Sequence, residues 1–265
     1  MRFQAITSPA NPKIKELLLV KRKPSYEGFL IEGPNLLEMA LSSGAGIKRV
    51  FLTEEFRSKP KNRALIKALL KKESEIHEIT GQLMDKLAET ETPQGVIAVA
   101  GVEKKSLESI TFRGNPFLVV ADEIKEPGNL GAIIRTADAA GADAVIKLPG
   151  TCNPLSPKTL RASAGSFFNL PVIEADTKKL LPWLKGKGIK LCGTDSRAEA
   201  SLYETDLKGP VAFVFGEEAH GLSPQLREKA DLLVRVPILG RAESLNVAAA
   251  CAVVLYEAVR QRVHL

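Results

Sequence analysis

The sequence predicts an α/β protein in which strands and helices alternate along the whole chain. Short runs of apolar and β-branched residues recur, and segments with helical periodicity separate them. A polar stretch interrupts the alternation once, at residues 101–115. At 265 residues the chain is long enough for two ordinary domains. We therefore predict one domain at residues 1–100, a linker at 101–115 and a second domain at 116–265.

The first domain is predicted to be a small mixed α/β unit. Pro34 suits the first turn of a helix, and strands alternating with helices favour a largely parallel sheet with helices packed against it. The predicted helices cover residues 11–20, 34–41 and 62–71, and the predicted strands cover 29–32, 47–52, 75–79 and 95–100.

The second domain has six strand candidates with stronger apolar character. They lie at residues 117–122, 144–148, 171–174, 189–195, 211–216 and 232–237, with helices at 130–140, 157–164 and 177–185. Continuous apolar runs are typical of parallel strands buried on both faces, and ligands bind beyond the carboxyl ends of such strands. No GxGxxG follows the first strand, so the ordinary dinucleotide-binding fingerprint is absent.

The last helix, near residues 245–256, has almost no polar face. Most helices of soluble proteins have a polar face that contacts solvent. A helix without one must be covered on all sides, either by its own domain or by a second copy of the protein. Ser244 and Asn246 lie where it begins. The free N–H groups and the dipole of a helix start can receive a ligand there, although an N-cap explains the pair more simply when taken alone.

Composition excludes several classes of protein. No apolar run approaches the ~20 residues that span a bilayer, and the first residues lack a secretory signal. Three isolated cysteines and three scattered histidines favour reduced thiols without a metal site. We expect a cytoplasmic protein that binds neither metal nor membrane. The three cysteines are Cys152, Cys192 and Cys251, and the three histidines are His77, His220 and His264.

The net charge is +6 and the basic excess is greatest at the front of the chain. Residues 1–23 hold six basic residues and one acid, Glu16. Such a surface attracts phosphate backbones, although an ordinary solvated face accounts for it equally well. The basic residues are Arg2, Lys13, Lys15, Lys21, Arg22 and Lys23.

Two further segments at predicted strand ends carry distinctive residues. In residues 126–135, Asn129 is expected in a loop and Arg135 on the following helix, where a guanidinium can clamp phosphate. In residues 215–222, Gly216 allows close approach of a ligand to the backbone, and the carboxylate of Glu218 can pair with Arg135. Each segment alone is equally well explained as a turn with solvated side chains.

Together and in this order, the three segments resemble the SpoU (TrmH-like) branch of the SPOUT RNA methyltransferases. The motifs of that family read N-x-G-x-x-x-R, F-G-x-E-x-x-G and P-x-x-G-x-x-x-S-L-N. SPANPKIKEL, FLIEGPNLLEMA and TPQGVIAV also resemble the family's RNA-binding domain, so the resemblance covers nearly the whole chain. The fixed positions present are Asn129, Gly131, Arg135, Phe215, Gly216, Glu218, Gly221, Pro237, Gly240, Ser244, Leu245 and Asn246.

The resemblance implies a fold and an activity. It implies a parallel-sheet domain closed by a deep trefoil knot, which is an exception to the rule against knotted chains. The front domain would be like ribosomal protein L30e, and the protein a homodimer that shares its active site across the interface. The activity would be methyl transfer from S-adenosylmethionine (SAM) to a ribose 2′-hydroxyl. A separate front domain favours rRNA, in particular 23S rRNA, over tRNA.

The resemblance also implies roles for particular residues. The catalytic group would contain Arg135, Asn129, Glu218, Ser244 and Asn246. The SAM pocket would contain Thr194, Gly216, Val236, Ile238 and Leu245. The basic excess at residues 1–23, rather than the resemblance, predicts that RNA contacts Lys13, Lys21, Arg22 and Lys23.

Methyl transfer from a sulfonium needs an in-line approach and removal of the hydroxyl proton. Because the pKa of arginine lies above about 12, Arg135 is better suited to stabilise the developing alkoxide, with Glu218 orienting it. The sequence leaves open whether Arg135 takes the proton itself. The alternatives are tRNA ribose methylation, methylation of a base nitrogen and RNA binding without catalysis.

Overall fold

A computed structural model describes residues 3–217 and 220–263. The chain forms two compact units. The first runs to Lys104 and also includes Leu155–Phe168, and the second comprises Lys105–Pro154 and the residues from Asn169 onward. This division differs from the predicted linker at 101–115, since Leu107 and Ile110 within that stretch are buried in the core of the second unit.

The described residues contain ten α-helices and twelve strands. The helices are α1 (Pro12–Arg22), α2 (Pro34–Ser42), α3 (Glu54–Ser58), α4 (Arg63–Lys71), α5 (Gly81–Leu87), α6 (Pro127–Ala139), α7 (Pro157–Ala162), α8 (Thr177–Gly186), α9 (Pro224–Lys229) and α10 (Val247–Arg262). The strands are β1 (Gln4–Ile6), β2 (Phe29–Glu32), β3 (Gly46–Thr53), β4 (Glu75–Ile79), β5 (Val96–Gly101), β6 (Phe117–Ala121), β7 (Ala144–Lys147), β8 (Val172–Glu174), β9 (Lys190–Thr194), β10 (Ala200–Ser201), β11 (Val211–Phe215) and β12 (Leu232–Arg235).

All the predicted helices and strands are present, and their ends are shifted by three residues at most, except that the last helix ends at Arg262, six residues beyond its predicted end. The sequence reasoning missed only short elements, namely β1, α3, α5, β10 and α9.

The sheet of the first unit has the order β1-β4-β3-β5-β2. Strand β4 pairs in parallel with β1 and β3, but β5 is antiparallel to both of its neighbours. The prediction of a largely parallel sheet is therefore wrong for this unit. The connection from β4 to β5 holds the seven-residue helix α5, and β5 then runs back along β3. Antiparallel neighbours do not need the long crossover that parallel neighbours require.

Helices cover both faces of this first sheet. Ile14 of α1 and Leu83 of α5 belong to a buried cluster with Phe51 of β3. Side chains alternate along a strand, so the neighbours Val50 and Leu52 face the other side, where α2 contacts β3 and α4 contacts α2. Helices α1 and α4 thus lie on opposite faces.

The second unit is built on a parallel sheet, as predicted. Its order is β10-β12-β9-β11-β6-β7-β8, and every pairing is parallel. The central strands β6 and β11 are buried along their whole length. From β6 the chain proceeds outward through β7 and β8 and then returns on the other side of β6. The order of strands therefore reverses between β6 and β11, which is where such sheets bind ligands.

Helix α10 is covered on one side only within this chain. Cys251, Val254 and Leu255 are buried, whereas Ala249 is exposed and Tyr256 is 50% exposed. Helix α6 contacts it. Of the two covers predicted for this apolar helix, its own domain supplies only part. In the part of the chain that the structure describes, no helix has the length and apolar character needed to cross a membrane.

Candidate functional site

A cleft of about 500 Å³ lies at the carboxyl edge of the second sheet. Thr194 ends β9, Gly216 follows β11 and Val236 follows β12, so three strand ends form its base. This volume is within the range of small-molecule sites, about 300–1,000 Å³. Its described lining is Thr194, Asp195, Ser196, Arg197, Gly216, Glu217, His220, Gly221, Leu222, Arg227, Val234, Val236, Ile238, Glu243, Ser244, Leu245, Val247 and Ala250.

All five residues predicted to bind the cofactor line this cleft: Thr194, Gly216, Val236, Ile238 and Leu245. They come from three separated segments of the chain, and the predicted catalytic residue Ser244 lies among them. The hydroxyl of Thr194 donates to the carbonyl of Val214 at 2.9 Å, which fixes this side chain against the neighbouring strand.

Two glycines close the loop after β11. A Cβ atom on Gly216 would lie 2.2 Å from the carbonyl oxygen of Gly221, and Gly221 has a positive φ of 72°. The amide of Gly221 donates to the carbonyl of Glu217 at 2.8 Å. A side chain at Gly216 therefore requires a shift of the backbone, and one at Gly221 is strained by the positive φ. The predicted catalytic residue Glu218 lies outside the described residues.

Asp122 anchors the far end of this loop, and the sequence reasoning missed it. Its side chain is 3% exposed, and its carboxylate accepts from the amide of Ser223 at 2.7 Å. Burial raises the pKa of the Asp122 carboxyl above its ordinary value, while the bonds from Ser223 oppose that shift. The sequence held one signal for this role, because Asp122 directly follows a continuous apolar strand in FLVVAD.

Asn129 and Asn246 bring the first and third motifs together. The side-chain amide of Asn246 donates to the side-chain oxygen of Asn129 at 3.1 Å. Asn246 is also the N-cap of α10 and accepts from the amide of Ala248 at 3.0 Å. The N-cap interpretation of this position is therefore confirmed.

The prediction that Asn129 lies in a loop is wrong, because α6 already begins at Pro127. Proline is well suited to the first position of a helix. The carboxylate of Glu126 caps the helix by accepting from the amide of Gly128 at 3.3 Å. Asn129 consequently lies in the first turn.

Arg135 is exposed on α6 and is not among the described residues that line the cleft. Six residues separate it from Asn129, which corresponds to about 9 Å along the helix and about 120° around it. The two side chains therefore leave α6 in different directions, and this chain alone does not bring Arg135 to its own cleft.

The outer rim of the cleft is charged. Arg227 pairs with Asp195 at 3.0 Å, and Arg197 lies 3.6 Å from the same carboxylate. A ring nitrogen of His220 lies 2.7 Å from Glu217. The inner wall of the cleft is apolar, and its rim therefore carries both positive and negative side chains. The sequence analysis predicts a strand at 189–195 but does not single out Asp195 or Arg227.

Two of the four predicted RNA-binding residues make contacts inside the first unit. The ammonium of Lys13 contacts the carboxylate of Glu75 and lies 3.1 Å from His77, and Lys21 donates to the carbonyl of Leu87 at 2.9 Å. Lys13 and then Arg49 hold the pKa of Glu75 at about 2.

The other two predicted residues, Arg22 and Lys23, are exposed. Sequence charge indicates how many cations a segment has. It does not indicate which of them the fold pairs with acids and carbonyls.

Two of the three thiols are deeply buried, and there is no metal cluster among the described residues. Nowhere among them do three or more His, Cys, Asp or Glu side chains gather to hold a metal ion. Burial raises the pKa of Cys192 to about 12 and also raises that of Cys251, so both thiols are protonated at neutral pH.

A parallel sheet, a cleft at its carboxyl edge and three clustered motifs define the class of SPOUT-type RNA methyltransferases. Residues 116–256 match the model of the SpoU rRNA Methylase family, and residues 11–98 match that of the MRM3-like substrate binding domain. The chain belongs to the SpoU rRNA methylase family, which confirms the prediction made from the motifs.

Relatives along nearly the whole chain have specific names. The 23S rRNA (guanosine(2553)-2′-O)-methyltransferase of Bacillus subtilis (strain 168) is 35% identical, over 96% of this chain and 98% of that protein. The 23S rRNA (uridine(2479)-2′-O)-methyltransferase of Streptomyces viridochromogenes is 31% identical, over 89% and 83%. A crystal structure of AdoMet-bound rRNA methyltransferase from Sinorhizobium meliloti is similar, with a TM-score of 0.88 and 30% identity over 98% of this chain and 99% of that one.

Proposed function

We propose that this chain transfers a methyl group from SAM to a ribose 2′-hydroxyl of 23S rRNA. The observation that carries the proposal is that five positions from three separate segments, all expected to hold SAM, line one cleft at the sheet's carboxyl edge. The chain's family and the names of its relatives agree with this reaction.

The cleft fits SAM in size and in polarity. Its inner wall, with Val234, Val247 and Leu222, suits the adenine ring, and backbone groups at Gly216 and Val236 are open to it. The charged rim suits the zwitterionic amino-acid end, because it offers guanidinium and carboxylate groups together. When bound, SAM supplies a methyl group made electrophilic by its sulfonium. The chain's own residues then have to hold and orient the ribose that receives it.

The residues around the motif cluster have distinct roles in this proposal. Asn246 and Asn129 hold each other, which fixes the start of α10 beside the cleft. Arg135 binds a phosphate next to the target ribose and stabilises the developing alkoxide. A guanidinium with a pKa above about 12 is a poor base, so its role is electrostatic. Glu218 would orient Arg135, and Ser244 would contact the ribose.

We also propose that the protein is a homodimer with shared active sites. The exposed side of α10 carries Ala249 and Tyr256, and α6, which contacts α10, carries Arg135 outside its own cleft. A twofold contact along these helices would cover the apolar face and bring Arg135 of one subunit to the cleft of the other. A deep trefoil knot in the second unit and an L30e-like fold in the first complete the proposed architecture.

Ribosomal RNA is the proposed substrate, rather than tRNA, because the named relatives act on 23S rRNA and residues 11–98 match a substrate-binding domain. The names of these two relatives specify a guanosine and a uridine, respectively.

The test uses labelled SAM with unmodified 23S rRNA and tRNA transcripts in parallel, followed by alkaline hydrolysis. Alkali cleaves RNA through the free 2′-hydroxyl, so ribose methylation leaves the label in an uncleaved dinucleotide. Label in a mononucleotide would mean that a base is methylated rather than a ribose. Label in tRNA alone would mean that tRNA, and not 23S rRNA, is the substrate. Folded protein that binds rRNA but shows neither SAM binding nor transfer would be a plain RNA-binding protein. Arg135→Ala serves as the control without transfer.

A further inference from the structure

Helix α4 of the first unit presents a face made of cations only. Arg63, Lys67 and Lys71 follow one another at intervals of four residues, and Lys61 and Lys72 flank them. All five are exposed, whereas Leu65 and Leu69 on the opposite side are buried. Between Pro60 and Lys72 the sequence has these five basic residues and no acid. We call these five residues the α4 stripe.

The stripe is not neutralised by the unit that carries it. Among the charged side chains that the structure describes, none forms an ion pair with any of the five. Just before the stripe, however, Lys59 pairs with Glu55 and Arg57 pairs with Glu78, both at 2.6 Å. Glu55 and Glu78 are thus used by other cations, whereas Glu73, which follows Lys72, is exposed.

Helix stability does not account for this arrangement. The first turn of a helix favours acids, yet α4 begins with Arg63 and has no acid there. Like charges four residues apart repel, and the stripe repeats that spacing twice. An amphipathic helix needs a polar outer face, but the charges on that face do not need to have the same sign. The arrangement is therefore better explained by an anionic partner.

We propose that the α4 stripe is a docking surface for the phosphate backbone of the RNA substrate. The inference rests on the proposed function and adds a surface that the charge excess at residues 1–23 did not indicate. Residues four apart on a helix are separated by about 6 Å, so the stripe is a row of cations that can follow one strand of regularly spaced phosphates. It lies within residues 11–98, the part that matches a substrate-binding domain.

The stripe is separate from the exposed cations of α1. Arg22 and Lys23 lie at the end of α1, on the opposite face of the first sheet from α4. Variants of the two surfaces therefore report on them independently, and RNA contacted through α4 approaches a different side of the unit from RNA contacted through α1.

The experiment compares three full-length proteins. One is the wild type, one is the triple variant Arg63→Gln, Lys67→Gln, Lys71→Gln, and the matched control is Lys178→Gln, Lys179→Gln, Lys185→Gln. The control removes the same charge from exposed positions on α8 of the second unit. Binding to an unmodified 23S rRNA transcript is measured against salt concentration, together with methyl transfer, SAM binding and melting temperature.

We expect the α4 variant to bind rRNA with a salt dependence reduced by about 2 in the slope of log K against log salt, since each phosphate contact contributes about 0.7–0.9. Its KM for rRNA should rise about tenfold near physiological salt, while kcat at saturating RNA, SAM affinity and melting temperature stay at the wild-type values. The α8 control should match the wild type throughout.

Failure of this inference can be told apart from failure of the proposed function. A wild type that transfers methyl groups and an α4 variant with the same slope and KM would overturn the docking surface alone. A wild type that transfers nothing, but binds rRNA in a manner weakened by the α4 changes, would keep the surface and overturn the function. Polyglutamate serves as a probe for an acidic protein partner. If the α4 variant bound rRNA like the wild type but no longer bound polyglutamate, the stripe would be a site for an acidic protein, and the proposal would be overturned.

Discussion

Removal of the Asp122 carboxylate should destabilise the second unit and weaken SAM binding. Asp122 is 3% exposed, and its bond to the amide of Ser223 at 2.7 Å links the end of β6 to the end of the loop from Gly216 to Leu222. Hydrogen bonds to a charged group contribute about 1.5–3 kcal/mol. Asp122→Ala removes the acceptor of the partly buried amide of Ser223, so we expect a loss of about 2–3 kcal/mol in the free energy of unfolding.

Asp122→Asn provides the matched comparison because it keeps the size and an acceptor oxygen but removes the charge. Burial raises the pKa of Asp122 above 3.8, so the charged form is less favourable in the folded protein than in the unfolded one. Loss of the charge therefore relieves a desolvation cost while it weakens the hydrogen bond. We expect Asp122→Asn to stay within about 1 kcal/mol of the wild type at neutral pH.

The sign of the pH dependence follows from the raised pKa. A carboxyl whose folded pKa is raised stabilises the fold when protonated, and that contribution is lost as pH rises through the folded pKa. The wild type should therefore gain stability relative to Asp122→Asn as pH falls from the folded pKa toward 3.8.

Thermal melts and SAM titrations of the three proteins across pH measure both effects. For a unit of this size, 2–3 kcal/mol corresponds to a shift of about 4–12 °C in Tm. An Asp122→Ala protein that melts and binds SAM like the wild type would refute the anchoring role.

Further predictions follow from other parts of the structure. Arg135→Ala should abolish methyl transfer while SAM affinity in titration calorimetry stays unchanged, because its contact matters in the transition state. Gly216→Ala should cost about 1–3 kcal/mol in thermal melts and weaken SAM binding, since its Cβ would meet Gly221. Lys13→Gln should lower stability above pH 4.5, with the difference from the wild type closing as pH falls toward 2, because Lys13 lowers the pKa of Glu75. Light scattering should give twice the 28.6 kDa chain mass, and an active monomer would contradict the shared site.

Periodicity was sufficient to predict the strands of the second sheet and the edge at which a ligand binds. Fully buried strands such as β6 and β11 have continuous apolar runs, so their position and parallel direction follow from composition. Parallel strands present their carboxyl ends at one edge, so the segments that follow them were expected to meet there. The particular residues of the cleft, such as Thr194, Gly216 and Leu245, were predicted from the family resemblance and not from periodicity.

Strand direction and helix starts were harder to predict where short elements decide them. The antiparallel direction of β5 gave no signal in the sequence, because the helix between β4 and β5 is α5, whose seven residues are too few to show a clear helical periodicity. The place of Asn129 in α6 depends on whether the helix begins before or after Pro127, and sequence signals for helix boundaries are uncertain by a few residues.

Charge is where sequence and structure differ most, and the difference bears directly on RNA binding. The first 23 residues have the denser basic excess, yet Lys13 and Lys21 contact groups of their own unit. The sequence analysis treated α4 as an ordinary helix. Its cations are exposed, and none of them forms an ion pair with a side chain in the part of the chain that the structure describes. A long-range field depends on the net charge of a surface, so a cation beside a carboxylate adds little to it. Phosphate binding should therefore be assigned to cations that remain unpaired after folding, and by this criterion Arg63, Lys67 and Lys71 rank ahead of Lys13.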